Sequence, residues 1–328
     1  MELIRNKKMS YYLQKIDSYD RAKYVDQHNY SEAIAFYKRG IETDPSLMSN
    51  YWHICLALLL QGEESEAKAT WLSLIEQADD INKINAWTLE IVELLTAEAT
   101  KCEAVSDLEF AQKMHGYAAI ARGEAWKKVK GYKFTTDWFI ENLPTWEQYL
   151  IHLANQSEIN VLEIGSWEGM SACWLLDNIL THELSRITCI DTFEGSVEHK
   201  FEYDDSYIQS VEERFDFNIS QTNALEKVTK IIGNSQDVMR SLPLNNYDIL
   251  YIDGSHLAAD VLTDAILGWG LVKVGGIIIF DDYDFQFHDS VNTEQDTKIG
   301  IDAFLKVFYK KVNIVHQAHQ VIIEKILD

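Results

Sequence analysis

The chain is poor in proline, cysteine and positive charge, and it has no long apolar run. Only three prolines occur, Pro45, Pro144 and Pro243, and each falls where a boundary between elements is expected, because proline fixes φ and lacks an N–H. The four cysteines, Cys55, Cys102, Cys173 and Cys189, are widely spread. They have neither zinc-site spacing nor the density of a disulfide scaffold, which points to a reducing, cytoplasmic compartment. No stretch approaches the ~20 apolar residues of a membrane span. Met1-Glu2-Leu3-Ile4-Arg5 lacks the apolar core of a secretion signal. Lys and Arg total 29 against 52 Asp and Glu, a formal net charge of −23. That deficit argues against nucleic acid and against an anionic membrane surface as partners. The 47% hydrophobic content excludes a mainly disordered chain, and 328 residues allow two domains.

What is present is organised around Val161-Leu162-Glu163-Ile164-Gly165-Ser166-Trp167-Glu168-Gly169. Asn160 to Ile164 reads as a buried strand, followed by a glycine turn and a helix from Met170 to Ile179. Gly165 and Gly169 let the backbone turn sharply and a ligand approach it closely. A loop that grips pyrophosphate draws on positive potential. This one has no Lys or Arg, lacks the G-x-G-x-x-G spacing, and is bracketed by Glu163 and Glu168. It disfavours dinucleotides and nucleoside triphosphates and suits a cationic ligand with a free ammonium group, such as S-adenosyl-L-methionine. Arg186 to Ile190 reads as a second buried strand. It ends in Asp191, roughly 20 residues past the turn, where a carboxylate can accept both ribose hydroxyls.

Glu163-x-Gly165-x-x-x-Gly169 followed by Asp191 resembles the cofactor site of the class I S-adenosylmethionine-dependent methyltransferases. The resemblance implies an α/β fold: a doubly wound, seven-stranded sheet with an antiparallel C-terminal hairpin. It also implies cofactor contacts at Ser166, Thr192, Ser235 and Asp253 besides Glu163, Gly165, Gly169 and Asp191. Ser235 follows a third strand, Thr229 to Gly233, in the loop that meets adenine in that family. The long insertion after the second strand includes one expected helix, Tyr207 to Phe215, and ends at a further helix, Gln221 to Val228. It holds His199, which either faces substrate or lies on the surface.

Tyr247 to Ile252 is a fourth strand ending in Asp253-Gly254-Ser255-His256, followed by a helix over Ala258 to Leu271. Ile277 to Phe280 is a fifth, ending in Asp281-Asp282. If these strands are parallel neighbours joined by a right-handed crossover, their ends lie ~5 Å apart. Three carboxylates so close repel unless something positive neutralises them. Oxygen ligands suit a hard dication such as Mg2+ or Ca2+. The arrangement resembles metal-dependent O-methyltransferases of the caffeoyl-coenzyme A and macrolide-sugar types, with Asp253, Asp281 and Asp282 as metal ligands. The former type has Asn where this chain has Asp282, which could instead cap the following turn. The Asp-Gly-Ser-His pattern resembles the latter type and implies His256 as the catalytic base beside Asp253; His288 is a second candidate. A helix over Ile299 to Tyr309 precedes two short strands, Val312 to Val315 and Val321 to Glu324, spaced for an antiparallel hairpin.

The first 125 residues read as all-α. Tyr30-Ser31-Glu32-Ala33-Ile34 aligns with Glu64-Ser65-Glu66-Ala67-Lys68, and Tyr37 with Trp71. The alignment and Pro45 resemble the tetratricopeptide repeat, whose period is about 34 residues. Further helices are expected over Ala86 to Ala99 and Leu108 to Arg122, with a weak one near Ile16, Tyr19, Ala22 and Tyr24. Such helices either offer a surface to a protein partner or self-associate, or they cover the second domain. Residues 126–328 form the expected catalytic domain. Its lead-in, 126–150, carries Trp138, Phe139 and Trp146, placed over the ligands or plugging a domain junction. The expected activity is O-methyl transfer to a small hydroxylated acceptor. The alternatives are a protein methyltransferase that recruits its substrate through the repeats, and a scaffold without chemistry.

Overall fold

In the computed structural model, which describes residues 29–196, 199, 203–285 and 296–328, the chain divides between Val129 and Lys130 into two units. The first is helical: α1 (Tyr30–Thr43), α2 (Met48–Gln61), α3 (Glu64–Gln77), α4 (Ile81–Ala104) and α5 (Leu108–Lys130). Helices α1 and α3 each have 14 residues and begin at equivalent points of the internal alignment. Ala33 and Ala67 are both buried, as are Tyr37 and Trp71 one turn on. These faces pack on α2, which buries Trp52 and every residue from Ile54 to Leu59. Gly62, at φ +90°, ends α2 in the left-handed conformation that glycine tolerates. Helices α4 and α5 run to 24 and 23 residues, so the 14-residue pattern stops after α3. The helix expected near Ile16 to Tyr24 lies outside the described residues.

The second unit contains α6 (Leu143–Leu150), β1 (Asn160–Ile164), α7 (Met170–Asn178), β2 (Arg186–Asp191), α8 (Asp205–Gln209), α9 (Val211–Gln221) and β3 (Val228–Ile232). It continues with α10 (Ser235–Val238), β4 (Tyr247–Ile252), α11 (Ala258–Trp269), β5 (Val272–Phe280), α12 (Thr297–Phe308), β6 (Val312–Gln317) and β7 (Val321–Lys325). The seven strands form one sheet in the order β3-β2-β1-β4-β5-β7-β6. All neighbours are parallel except β7, which runs against both β5 and β6. This is the α/β methyltransferase fold, preceded by a helical region. The central strands are apolar on both faces because helices cover both: Val161, Leu162, Ile249, Leu250, Ile278 and Ile279 are fully buried.

The insertion after β2 differs from the sequence reading. Val211, Phe215, Asn218 and Ile219 form one buried stripe that keeps α9 helical through Gln221, while Asn223 (φ +57°) terminates it. Leu225–Lys227 is therefore a single 3-10 turn and not part of a helix to Val228. Strand β5 begins at Val272, earlier than expected, because Val272 pairs with Tyr247 across a bulge. Among the described residues no helix is long and apolar enough to cross a membrane.

Candidate functional site

The site is assembled from consecutive strand ends. Beyond the registered pairs Ile164–Ile252 and Ile252–Phe280, the ladder continues by single hydrogen bonds. Gly165 N–H donates to Ile190 O (2.9 Å), Asp253 N–H to Ile164 O (2.8 Å) and Asp281 N–H to Ile252 O (3.0 Å). Gly165, Asp253 and Asp281 thus stand side by side on the carboxyl rim. Gly165 has φ +81°, and a Cβ there would lie 1.9 Å from Asp253 O. Only glycine allows so close an approach of the loop to β4.

Asp191 holds this loop. Its carboxylate accepts the N–H groups of Ser166 (2.7 Å), Trp167 (2.8 Å) and Phe193 (2.7 Å). Glu163 is fully buried behind the loop, where it accepts Ser171 Oγ–H at 2.6 Å. Burial, aided by the charge of Asp191, raises its carboxyl above the usual range. Glu163 and Gly169, expected to contact cofactor, lie outside the cavity wall, whereas Gly165, Ser166, Asp191, Thr192, Ser235 and Asp253 line it. Glu168 is also not a bare acid of the loop. It is 2% exposed and pairs with Arg214 Nε of α9 at 2.5 Å, while accepting Thr135 N–H (2.6 Å) and Thr135 Oγ1–H (2.5 Å). Sequence reading missed Arg214 because the face that α9 turns to the loop is fixed only by packing. Ser235 likewise donates to a side chain, Asp264 Oδ1 at 2.8 Å. Burial pushes that α11 carboxyl up to about 7.

The acidic rim contains Asp253, Asp281 and Asp282, as the strand order demands. The Tyr251 hydroxyl, buried between them, lies within hydrogen-bond distance of Asp253 Oδ2 (2.9 Å) and of Asp281 Oδ2, and its single proton is shared between the two acids. Asn142 Nδ2 (3.2 Å) and Gln320 Nε2 (3.1 Å) also donate to Asp281 Oδ2. Burial first, then the charges of neighbouring acids (Asp281 and Asp282 for Asp253, Asp282 for Asp281), raises the carboxyls of Asp253 and Asp281. Asp282 adopts φ +55° and accepts His256 Nε2 at 2.9 Å, so the expected base does reach the rim. His319, which sequence reading did not select, joins from the β6–β7 turn. The pairing Phe280–Val321 would have revealed it: residues just before Val321 must fall beside Asp281. His288 lies outside the described residues.

These groups surround a cavity of about 1210 Å³, built entirely from residues after Thr135. Trp138 and Phe139 line it, with His199 stacked on Trp138 (5.2 Å between centroids, 12°) and on Trp167 (4.4 Å, 28°). Trp146 is buried instead, with its Nε1–H donated to Gln320. Nine carboxylate residues and no Lys or Arg occur among the described lining residues. Glu168 is offset by Arg214, and burial raises Asp253, Asp264 and Asp281, so the acids of the lining are not all charged, but among its described residues no Lys or Arg opposes them.

Residues 162–283 match the family model described as a methyltransferase domain. A curated relative, an uncharacterised protein of Acanthamoeba polyphaga mimivirus, is 31% identical over 142 residues, covering 41% of this chain. The match spans 57% of that relative's length. The structure is similar to that of the O-methyltransferase NovP, with 20% identity, TM-score 0.43, and coverage of 57% of this chain and 80% of that one. It is also similar to the O-methyltransferase TomG from Streptomyces achromogenes in complex with SAM, at 14% identity and TM-score 0.43, covering 63% and 89%.

Proposed function

We propose that the protein is an S-adenosyl-L-methionine-dependent O-methyltransferase acting on a small hydroxylated acceptor, with a divalent cation assisting at Asp253, Asp281 and Asp282. The observation that carries this reading is the large cavity on the carboxyl rim whose walls hold carboxylates and no Lys or Arg among the described residues. Such a wall favours a cationic cofactor and repels phosphates. The residues fit the cofactor: Gly165 keeps the loop backbone close to β4, and Gly165, Ser166, Asp191 and Thr192 line the cavity beside it. Gly165, Ser166, Asp191 and Thr192 would hold it, with Ser235 and Asp264 at the far end. When bound, it supplies an electrophilic methyl group on a sulfonium.

The chain's own residues then orient the acceptor and move one proton. Trp138, Phe139 and His199 form an aromatic wall against which the acceptor is aligned. His256 accepts the proton of the acceptor hydroxyl, and the Asp282 carboxylate, 2.9 Å from its Nε2, stabilises the imidazolium that forms. The rim carboxylates suit a dication by their chemistry, since positive charge relieves their burial and repulsion, and among the described residues Asp282 has ligand atoms within 4.8 Å both of Asp253 and His256 and of Asp281 and His319. Much of the rate would come from holding two partners in reacting geometry. Calorimetry with S-adenosylhomocysteine tests the reading first: saturable binding is expected, and no heat at millimolar ligand overturns it. Transfer of labelled methyl to a panel of hydroxylated and amine acceptors then tests the oxygen preference.

A further inference from the structure

The turn between β6 and β7 is fastened to the acidic rim by several independent contacts. Tyr283 N–H donates to His319 O at 2.8 Å, Gln317 Nε2 donates to Tyr283 Oη at 2.8 Å, and Gln320 Nε2 donates to Asp281 Oδ2 at 3.1 Å. Behind Gln320, Trp146 Nε1 donates to its Oε1 at 2.9 Å, which fixes the amide. The turn is therefore a wall of the site. His319 is its tip, and its ring is oriented: Nδ1 lies 2.5 Å from Asp284 Oδ1. That leaves Nε2 facing the rim, 3.5 Å from Asp281 Oδ1 and 3.7 Å from Asp282 Oδ1.

Those two separations are longer than charge-assisted hydrogen bonds, which run about 2.7–2.9 Å. They exceed by about half an ångström the ~3.0–3.1 Å between neighbouring donors placed octahedrally around an ion with bonds of about 2.1–2.2 Å, a gap that a small side-chain adjustment around a cation would close. One donor atom from each of Asp281, Asp282 and His319 lies within 4.8 Å of the others. Asp284 stands where the outer partner of a metal-bound imidazole stands, fixing the ring and raising its basicity. The second oxygen of Asp281 is likewise occupied by Tyr251, Asn142 and Gln320, while Oδ1 accepts Asp282 N–H at 2.9 Å and has its other lone pair for the gap.

We propose that His319 supplies its Nε2 as a ligand to the rim cation, making this a mixed nitrogen–oxygen site for a first-row transition dication such as Mn2+ or Co2+ in preference to Mg2+. Imidazole binds such ions and contributes little to Mg2+, which demands oxygen ligands and keeps its waters. The inference rests on the cation site proposed above and is independent of the cofactor.

The test uses the full-length, metal-stripped protein with no cofactor. Binding of Mn2+ is followed by the EPR signal of the free ion, with Mg2+ as competitor, and pulsed EPR reads nitrogen modulation on the bound ion. Expected is Mn2+ affinity at least about tenfold above Mg2+, with modulation from one imidazole. His319→Gln should abolish the modulation and weaken Mn2+ by about tenfold or more while leaving Mg2+ within about twofold. Asp284→Asn, which leaves the ligand in place, should weaken Mn2+ by about tenfold and retain the modulation. Modulation that persists in His319→Gln and disappears in His256→Gln would assign the nitrogen to His256 and overturn the proposal. Equal Mn2+ and Mg2+ affinities, or no Mn2+ binding, would overturn it too. Binding of S-adenosylhomocysteine to the same metal-free protein is a separate result and bears only on the methyltransferase reading.

Discussion

Glu168 and Arg214 set the electrostatics of the glycine loop by removing one charge from it. Both are largely buried, at 2% and 17% side-chain exposure. Breaking a buried pair by deleting one partner leaves an uncompensated charge, at a cost of about 3–5 kcal/mol. Arg214→Ala is expected to destabilise the protein by about 3 kcal/mol in denaturant unfolding. Glu168→Gln should cost less, because an amide still accepts from Thr135. Asp264 makes a second prediction at this scale. Its folded value of about 7 lies above the unfolded value near 3.9. Between those values the folded state holds a proton that the unfolded state has released, so stability falls as pH rises from about 4 to about 7 and then levels off. Asp264→Asn removes that slope. Its stability relative to the parent should grow with pH across that window, reaching a melting-point gain on the order of 5 °C at pH 8. The acids at the strand ends could be read from sequence because backbone register alone places Asp253, Asp281 and Asp282. Arg214 and Asp264 could not, because which side of a helix faces the loop depends on packing between elements distant in sequence.

At the scale of elements, the glycine loop and the terminal hairpin carry the site. The loop is pressed on β4, as the contact a Cβ would make at Gly165 demonstrates. Gly62 has a similar φ of +90° with nothing within 4 Å of its Cβ position. The pair separates backbone strain from collision. Gly62→Ala should cost about 1 kcal/mol, the strain alone. Gly165→Ala should cost about 3 kcal/mol or more and abolish S-adenosylhomocysteine binding, measured by unfolding and calorimetry on the same samples. The strands β1 to β5 were legible because each runs into a Gly or Asp, and β6 and β7 because their close spacing requires reversal. The helices of the insertion were not: polar and aromatic residues alternate there without a clear period, and Asn223 ends α9 through a left-handed turn that composition does not announce. The hairpin was read correctly as a shape, yet its consequence for His319 required the register against β5.

For the whole molecule, the net charge of −23 and a cavity whose described lining has nine acids and no Lys or Arg point the same way, toward positively charged ligands. The division of labour between the two units is a sharper question. Every described residue lining the cavity belongs to the second unit, and so does every hydrogen bond named in the rim. That unit also has its own closed core, with Ile301 and Phe304 of α12 buried in the same cluster as Leu250 and Ile278 of the sheet. A chain of residues 130–328 is therefore expected to fold alone and to bind S-adenosylhomocysteine within about twofold of the full-length affinity, since no binding energy comes from the helical unit. If the helical unit recruits a protein substrate, turnover of small hydroxylated acceptors survives its removal while methylation of that protein falls steeply. If it only shields the catalytic unit, the truncated chain keeps both affinity and turnover but aggregates sooner on heating, which light scattering during a thermal ramp would register. A truncated chain that folds by circular dichroism yet no longer binds the cofactor product would show that the cavity depends on the helical unit after all.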